Sequence, residues 1–230
     1  MADSARLIEG DIFGSHRVTD DIAEIRQLLS PLAPTDVGTV RCLGLNYADH
    51  ARESKMPAPK FPVLFYKPMT SLAGPADAIP IPDMAQEGAG LDYECELVII
   101  IGKQCTNVSE EDALDYVMGY SVGNDVSHRD WQIKHGGGQW SLGKSFDGWA
   151  PFGPGIVSSR EISDPQSLKI WTKLNGDVLQ VRRHIHLPTN NTNVQQDGDT
   201  ANMIFSVRNS IAFLSRGVTL MPGDVIFTGT

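Results

Sequence analysis

The chain has 230 residues, 41% hydrophobic and 20% charged, enough to bury a sizeable core in one large domain or two small ones. Its 19 Lys and Arg against 28 Asp and Glu give a formal charge of -9, which leaves no basic stripe for phosphates and excludes a nucleic-acid partner. Three cysteines, Cys42, Cys95 and Cys105, with no C-x-x-C, exclude a disulfide framework or a zinc ribbon and fit a reducing compartment.

The first 40 residues alternate weak strand signals with one short helix. That helix is predicted over residues 20–29, where apolar residues recur at helical spacing behind two acids and Pro31 follows. Residues 40–43 read as a strand ending at Gly44, and residues 46–54 as a helix closed by Pro57, Pro59 and Pro62. From Val63 the chain is strand-like and punctuated by Pro75, Pro80, Pro82, Gly88 and Gly90. Residues 94–101 form the strongest strand signal, ending at Gly102. Residues 109–118 are the clearest helix, with Ser109 as N-cap and acids in the first turn, where the helix dipole favours them. Strands follow at residues 120–126, 168–174 and 178–180, the last two joined by Asn175-Gly176, a hairpin-turn pair. A last short strand is predicted at residues 224–228. The fold class is mixed α/β but β-rich, with no internal repeat and no clean linker. No apolar run is long enough to span a membrane, and the first residues open neither a secretory signal nor an amphipathic presequence. The expectation is therefore a cytoplasmic protein, with the mitochondrion as the alternative.

Several positions can carry chemistry. Glu94 and Glu96 are two apart on a strand and share a face, at the mouth of a run that is otherwise apolar. Like charges side by side repel unless a cation lies between them, and rigid oxygen donors suit a hard ion such as magnesium. The plain alternative is a solvated strand end. Asp125 closes a second apolar stretch, as a site acid or as a turn residue. His50 and Glu53, three apart on a helix, form either a general base with its orienting carboxylate or a surface ion pair. Lys144, between Gly143 and Ser145, can reach an oxyanion or face solvent. The turn Thr228-Gly229-Thr230 can bind a carboxylate through its N–H groups. No G-x-G-x-x-G follows a strand, so a dinucleotide fold is excluded.

Taken in order, these positions resemble the fumarylacetoacetate hydrolase family. The matching stretches are Leu43-Gly-Leu-Asn-Tyr-Ala-Asp-His50, Phe65-Tyr-Lys-Pro68, Asp92-Tyr-Glu-Cys-Glu-Leu97, Gly119-Tyr through Asn124-Asp-Val-Ser-His-Arg-Asp-Trp-Gln132, Leu142-Gly-Lys-Ser-Phe-Asp147 and Pro222-Gly-Asp through Thr-Gly-Thr230. The resemblance implies a β-roll with few peripheral helices, assembled as a homodimer. It divides the chain into a small N-terminal segment, residues 1–40, and a catalytic domain, residues 41–230. It implies Glu94, Glu96 and Asp125 as ligands of Mg2+ or Mn2+, with Ca2+ a further option. His50, Glu53 and Lys144 would be catalytic, and Arg129, Gln132 and Thr230 would bind substrate. The expected partner is a small 2-oxo acid or β-dicarbonyl acid, with no nucleic acid and no membrane. The leading reaction is C–C hydrolysis of acylpyruvate-like or β-diketo acids. The alternatives are tautomerisation or decarboxylation of oxaloacetate at the same metal site, and a truncated, inactive or binding-only product.

Two departures from the family pattern stand out. Residues 181–196 separate Gln180 from an Asp197-Gly-Asp-Thr stretch that the family joins directly. They read as a specificity loop with His184 and His186 as extra ligands, as a polar loop, or as a retained intron. The intron reading is preferred, because 16 codons are 48 nucleotides, a valine codon opens with GT and Gln196 can end in AG. His184 and His186 are therefore not counted in the site. The family also continues past its Thr-Gly-Thr turn with further strands, so the chain is expected to be incomplete at Thr230, with unpaired strand edges.

Overall fold

Residues 97–101 are five apolar residues in succession, a pattern that suits a strand covered on both faces. In the computed structural model, which describes residues 4–53, 57–88, 90–179 and 198–230, they lie at the centre of a sheet. In chain order the strands are Ser4–Gly10 (β1), His16–Glu24 (β2), Val40–Gly44 (β3), Val63–Lys67 (β4), Leu72–Ala73 (β5), Leu91–Asp92 (β6), Cys95–Ile101 (β7) and Val117–Asn124 (β8). Ser127–His128 (β9), Ala150–Ser158 (β10), Lys169–Ile170 (β11), Thr172–Leu174 (β12), Asp177–Leu179 (β13), Gly198–Asp199 (β14) and Val225–Phe227 (β15) follow. The α-helices among the described residues are Ala48–Glu53 (α1), Asp83–Gln86 (α2) and Val207–Leu214 (α3). No helix among these residues is long and apolar enough to cross a membrane.

Seven strands form one curled sheet in the order β4-β3-β15-β7-β8-β10-β5. β7 is antiparallel to β8, with Ile99 opposite Tyr120, and to β15, with Ile99 opposite Ile226. β15 runs parallel to β3. The side chains of β7 divide by parity. Leu97, Ile99 and Ile101 pack with Val207, Ile211 and Leu214 of α3. Val98 and Ile100 pack on the other face with Phe65, Phe152, Val225 and Phe227. Ser206 caps α3 by accepting the Asn209 N–H at 3.1 Å. Below Val98, the second face ends in the acids.

Two predicted helices are corrected. Residues 20–24 belong to β2, whose backbone pairs with β1, Ile22 opposite Arg6, so tertiary pairing overrides the helical spacing. Over residues 109–118, Ser109 Oγ does accept the Asp112 N–H at 3.2 Å. Only a 3-10 turn, Ala113–Tyr116, follows, because Val117 already pairs with Ile101 in the sheet. α3 was not predicted at all. The strand expected at residues 168–174 is divided into β11 and β12, which pair with different partners. The Asn175-Gly176 hairpin forms as expected, both residues at positive φ, 53° and 91°. The insertion at residues 181–196, with His184 and His186, lies outside the described residues.

Candidate metal centre

β7 and β8 bring the acids together. Glu94 precedes β7 and Glu96 lies on it, while Asp125 follows the end of β8 and donates its N–H to the Glu94 carbonyl at 2.8 Å. Ligand-type oxygens of Glu94, Glu96 and Asp125 lie within 4.8 Å of one another. Glu96 and Asp125 are fully buried, and the Glu94 side chain is 13% exposed. Lys144 reaches the same spot from the 3-10 turn Ser141–Lys144. Its ammonium lies 2.7 Å from Glu94 Oε2 and 2.6 Å from Asp125 Oδ2, and 5.0 Å from the centroid of the Phe65 ring.

The electrostatics separate the two glutamates. Burial would raise the Glu94 carboxyl, but Lys144 and Arg129 outweigh it and hold the group well below the ordinary carboxylate range. Burial raises Glu96, and the charges of Asp125 and Glu94 push it well above the ordinary range against the opposing Lys144. Burial would lower the Lys144 ammonium, yet Asp125 and Glu94 raise it, so the side chain stays charged. Glu96 Oε2 accepts the Gly229 N–H at 2.7 Å, while Oε1 has no hydrogen-bond partner among the described residues. A buried, repelling carboxylate with a bare oxygen takes up a proton or a cation. The donors are all oxygens, as a hard divalent ion requires, so these residues fit such an ion.

Gly229 adopts φ 88°, a conformation that favours glycine, and this aims its N–H at Glu96. The turn over residues 228–230 thus does bind a carboxylate, one belonging to the chain itself. Arg129 donates to Asp92 Oδ2 through Nε and Nη2, at 2.9 and 2.7 Å, and to Gln132 Oε1 at 2.8 Å, and its Nη2 lies 2.6 Å from Glu94 Oε1. His50, on α1, and Thr230 line one small cleft with Tyr47, Cys95 and Asp199. The Glu53 side chain lies outside the description. A larger cavity of about 620 Å³ opens behind the same strands, lined by Leu91, Val122, Phe152 and Trp171 among others. The triad, Lys144 and His50 do not line it, so its size says nothing about the chemistry.

Two residues near the acids were not singled out from the sequence. Asp92 holds Arg129, and Lys67 sits fully buried 2.7 Å from Asp125 Oδ1. The signal for Lys67 was its parity, two residues after the buried Phe65 on β4.

Fold and site together define a β-rich protein with a buried acidic triad able to hold a divalent ion. The family model described as fumarylacetoacetate (FAA) hydrolase C-terminal matches residues 39–230, and the chain belongs to that family. It is 46% identical over 206 residues to a fumarylacetoacetate hydrolase domain-containing protein 2 homolog of Dictyostelium discoideum, covering 86% of this chain and 61% of that protein. It is 45% identical over 206 residues to oxaloacetate tautomerase fahd2, mitochondrial, of Xenopus laevis, covering 89% of this chain and 59% of that protein. The chain thus spans about three fifths of the length of these curated relatives. The crystal structure of 2-hydroxyhepta-2,4-diene-1,7-dioate isomerase from Mycobacterium marinum superposes with a TM-score of 0.78 at 34% identity, covering 99% of this chain and 76% of that one. Members of the family are enzymes and generally use a divalent metal.

Proposed function

We propose that this chain carries the catalytic centre of a divalent-metal-dependent enzyme that enolises a small 2-oxo acid, as an oxaloacetate tautomerase does. The observation that carries the reading is the Lys144 ammonium, buried and kept charged against two members of an oxygen-donor triad. Glu94, Glu96 and Asp125 would hold Mg2+ or Mn2+. Once bound, the ion supplies Lewis acidity toward the substrate carboxylate and 2-oxygen. Without metal, Asp125 and Glu94 outweigh burial and favour the charged form of Lys144, so no base role is assigned to it. It instead places positive charge where the enolate oxygen develops. Phe65 beneath it and the surrounding burial limit screening by water, so that charge counts for more than it would in solution. Arg129, Gln132 and Thr230 form the proposed substrate-binding set. The 45% identity to a relative named oxaloacetate tautomerase supports this order of preference.

A second reading is hydrolysis of the C–C bond of an acylpyruvate or β-diketo acid, or decarboxylation of oxaloacetate, at the same centre. The place of His50 in the small cleft beside Thr230 favours hydrolysis. There the imidazole would take a proton from water, which attacks the distal carbonyl. The electrons of the broken bond pass to the enolate oxygen that Lys144 faces. Both readings take residues 41–230 as the catalytic domain and residues 1–40 as an accessory segment. We further propose a homodimer in the cytoplasm or, like the Xenopus relative by its name, in the mitochondrion.

The test is a substrate panel with Mn2+: decay of enol-oxaloacetate absorbance, oxaloacetate decarboxylation and acylpyruvate cleavage. His50→Ala is expected to keep tautomerisation. Loss of cleavage alone in that variant supports the hydrolytic reading. A Mn2+-loaded protein that turns over none of these substrates refutes both.

A further inference from the structure

Lys67 has no part in the chemistry above, yet its ammonium contacts both a triad carboxylate, that of Asp125, and the backbone of Lys144. It stands two residues after Phe65 on β4, and its side chain is 0% exposed. An ammonium carries three protons. Three backbone carbonyls accept from it: Val126 at 3.1 Å, Trp149 at 2.9 Å, and Lys144. The fourth neighbour, Asp125 Oδ1 at 2.7 Å, is an ion-pair contact outside hydrogen-bond geometry. The Asp125 carboxylate is therefore held between two ammoniums, Oδ1 on Lys67 and Oδ2 on Lys144.

Burying a charge this completely is unfavourable unless every proton and the charge itself find partners. An apolar side chain of similar volume would often serve a core as well. Here two partners belong to the site, the Asp125 carboxylate and the backbone of Lys144; the other two are the carbonyls of Val126, next to Asp125, and Trp149, just ahead of β10. β4 also supplies Phe65 beneath the Lys144 ammonium, so one strand braces Lys144 at both its backbone and its tip.

We propose that Lys67 is a positioning residue of the metal centre: it fixes Asp125 and the backbone of Lys144 in one shared geometry. This rests on the metal reading under Proposed function. Partners in the outer shell of ligating groups typically change metal affinity about 10–100-fold when removed.

The test compares thermal unfolding of metal-stripped wild type, Lys67→Met and Lys67→Arg over a Mn2+ series, since an ion bound to the folded state raises its midpoint. In Lys67→Met the Mn2+ concentration for half-maximal stabilisation is expected to rise at least about tenfold. A lysine that merely supports the fold lowers the metal-free midpoint and leaves the Mn2+ series unchanged, and that result overturns the proposal. If Lys67→Met does not fold, Lys67→Arg decides. It keeps the charge but not the compact three-proton geometry, and a shifted Mn2+ series is again expected. Failure of both variants to fold assigns Lys67 to the scaffold and also overturns the proposal. A wild type unaffected by Mn2+ sinks the metal centre itself, an outcome distinct from wild type and variants responding alike.

Discussion

Replacing Glu96 by Gln separates the charge of the triad from its shape. Glutamine keeps the buried volume and an acceptor for the Gly229 N–H, which now donates to Glu96 at 2.7 Å. It removes one negative charge. Without metal, an ionised Glu96 faces Asp125 and Glu94 as like charges and Lys144 as an opposite one, a net of one repulsive pair. At the 4.8 Å limit of the triad and an effective dielectric of about 20, one such pair is worth about 3 kcal/mol. The wild type relieves part of this by holding a proton on Glu96, so the charge-pair effect is approached only as pH rises, and burial of the charge acts in the same direction. Metal-free Glu96→Gln is therefore expected to be more stable than wild type at about pH 8, by about 3 kcal/mol, on the order of 10 °C in midpoint for a chain of this size. Mn2+ should reverse the order, because only the wild type retains the full triad. Scanning calorimetry in EDTA and then in excess Mn2+ reads both effects. A variant less stable than wild type in EDTA, or equal stabilisation of both by Mn2+, would refute the reasoning.

Lys144→Met should lower turnover of any accepted 2-oxo acid about 10²–10³-fold, the usual cost of losing one oxyanion donor. Steady-state kinetics with Mn2+ saturating checks this, and a kcat within a factor of three contradicts it. Metal-free stability should depend on pH in two directions. Glu96 is raised above its ordinary 4.5, so its contribution is full below that value and is lost as pH rises through the raised one. Glu94 is lowered from the same 4.5, so its contribution is present above that value and is lost as pH falls. Urea unfolding in EDTA from pH 3 to 9 should therefore peak near the ordinary carboxylate range, and stability rising steadily to pH 9 would be the wrong sign. Arg41→Met leaves Asp224, 2% exposed, without its partner at 3.4 Å, and breaking such a buried pair costs about 3–5 kcal/mol. A loss below about 1 kcal/mol by urea denaturation would show that the pair is not an effective one.

What could be read from the sequence follows from the range of the interactions involved. β7 was legible because its burial on both faces is written as an unbroken apolar run. The hairpin at Asn175-Gly176 was legible because its turn needs two positive φ angles. The triad was legible as Glu94 and Glu96 by parity, whereas Asp125 needed the family pattern to raise it above an ordinary turn acid. The false helices at residues 20–29 and 109–118 carried good local signals, a spacing and a cap. Pairing with β1 and β7, which lie outside the short windows that carry those signals, decided against both. Lys67 was given no role, although it lies in a matching stretch and shares a face with Phe65, because its partners are a side chain 58 residues away and three backbone carbonyls.

In the proposed centre, Glu94, Glu96 and Asp125 hold one divalent ion. Electron paramagnetic resonance titration of metal-stripped protein with Mn2+ tests it most directly, run in parallel on wild type, Glu94→Gln and Glu96→Gln. One bound Mn2+ per wild-type chain, and its loss in both variants, is the expected result of a shared carboxylate centre. Binding of the same stoichiometry and affinity in all three proteins would contradict it.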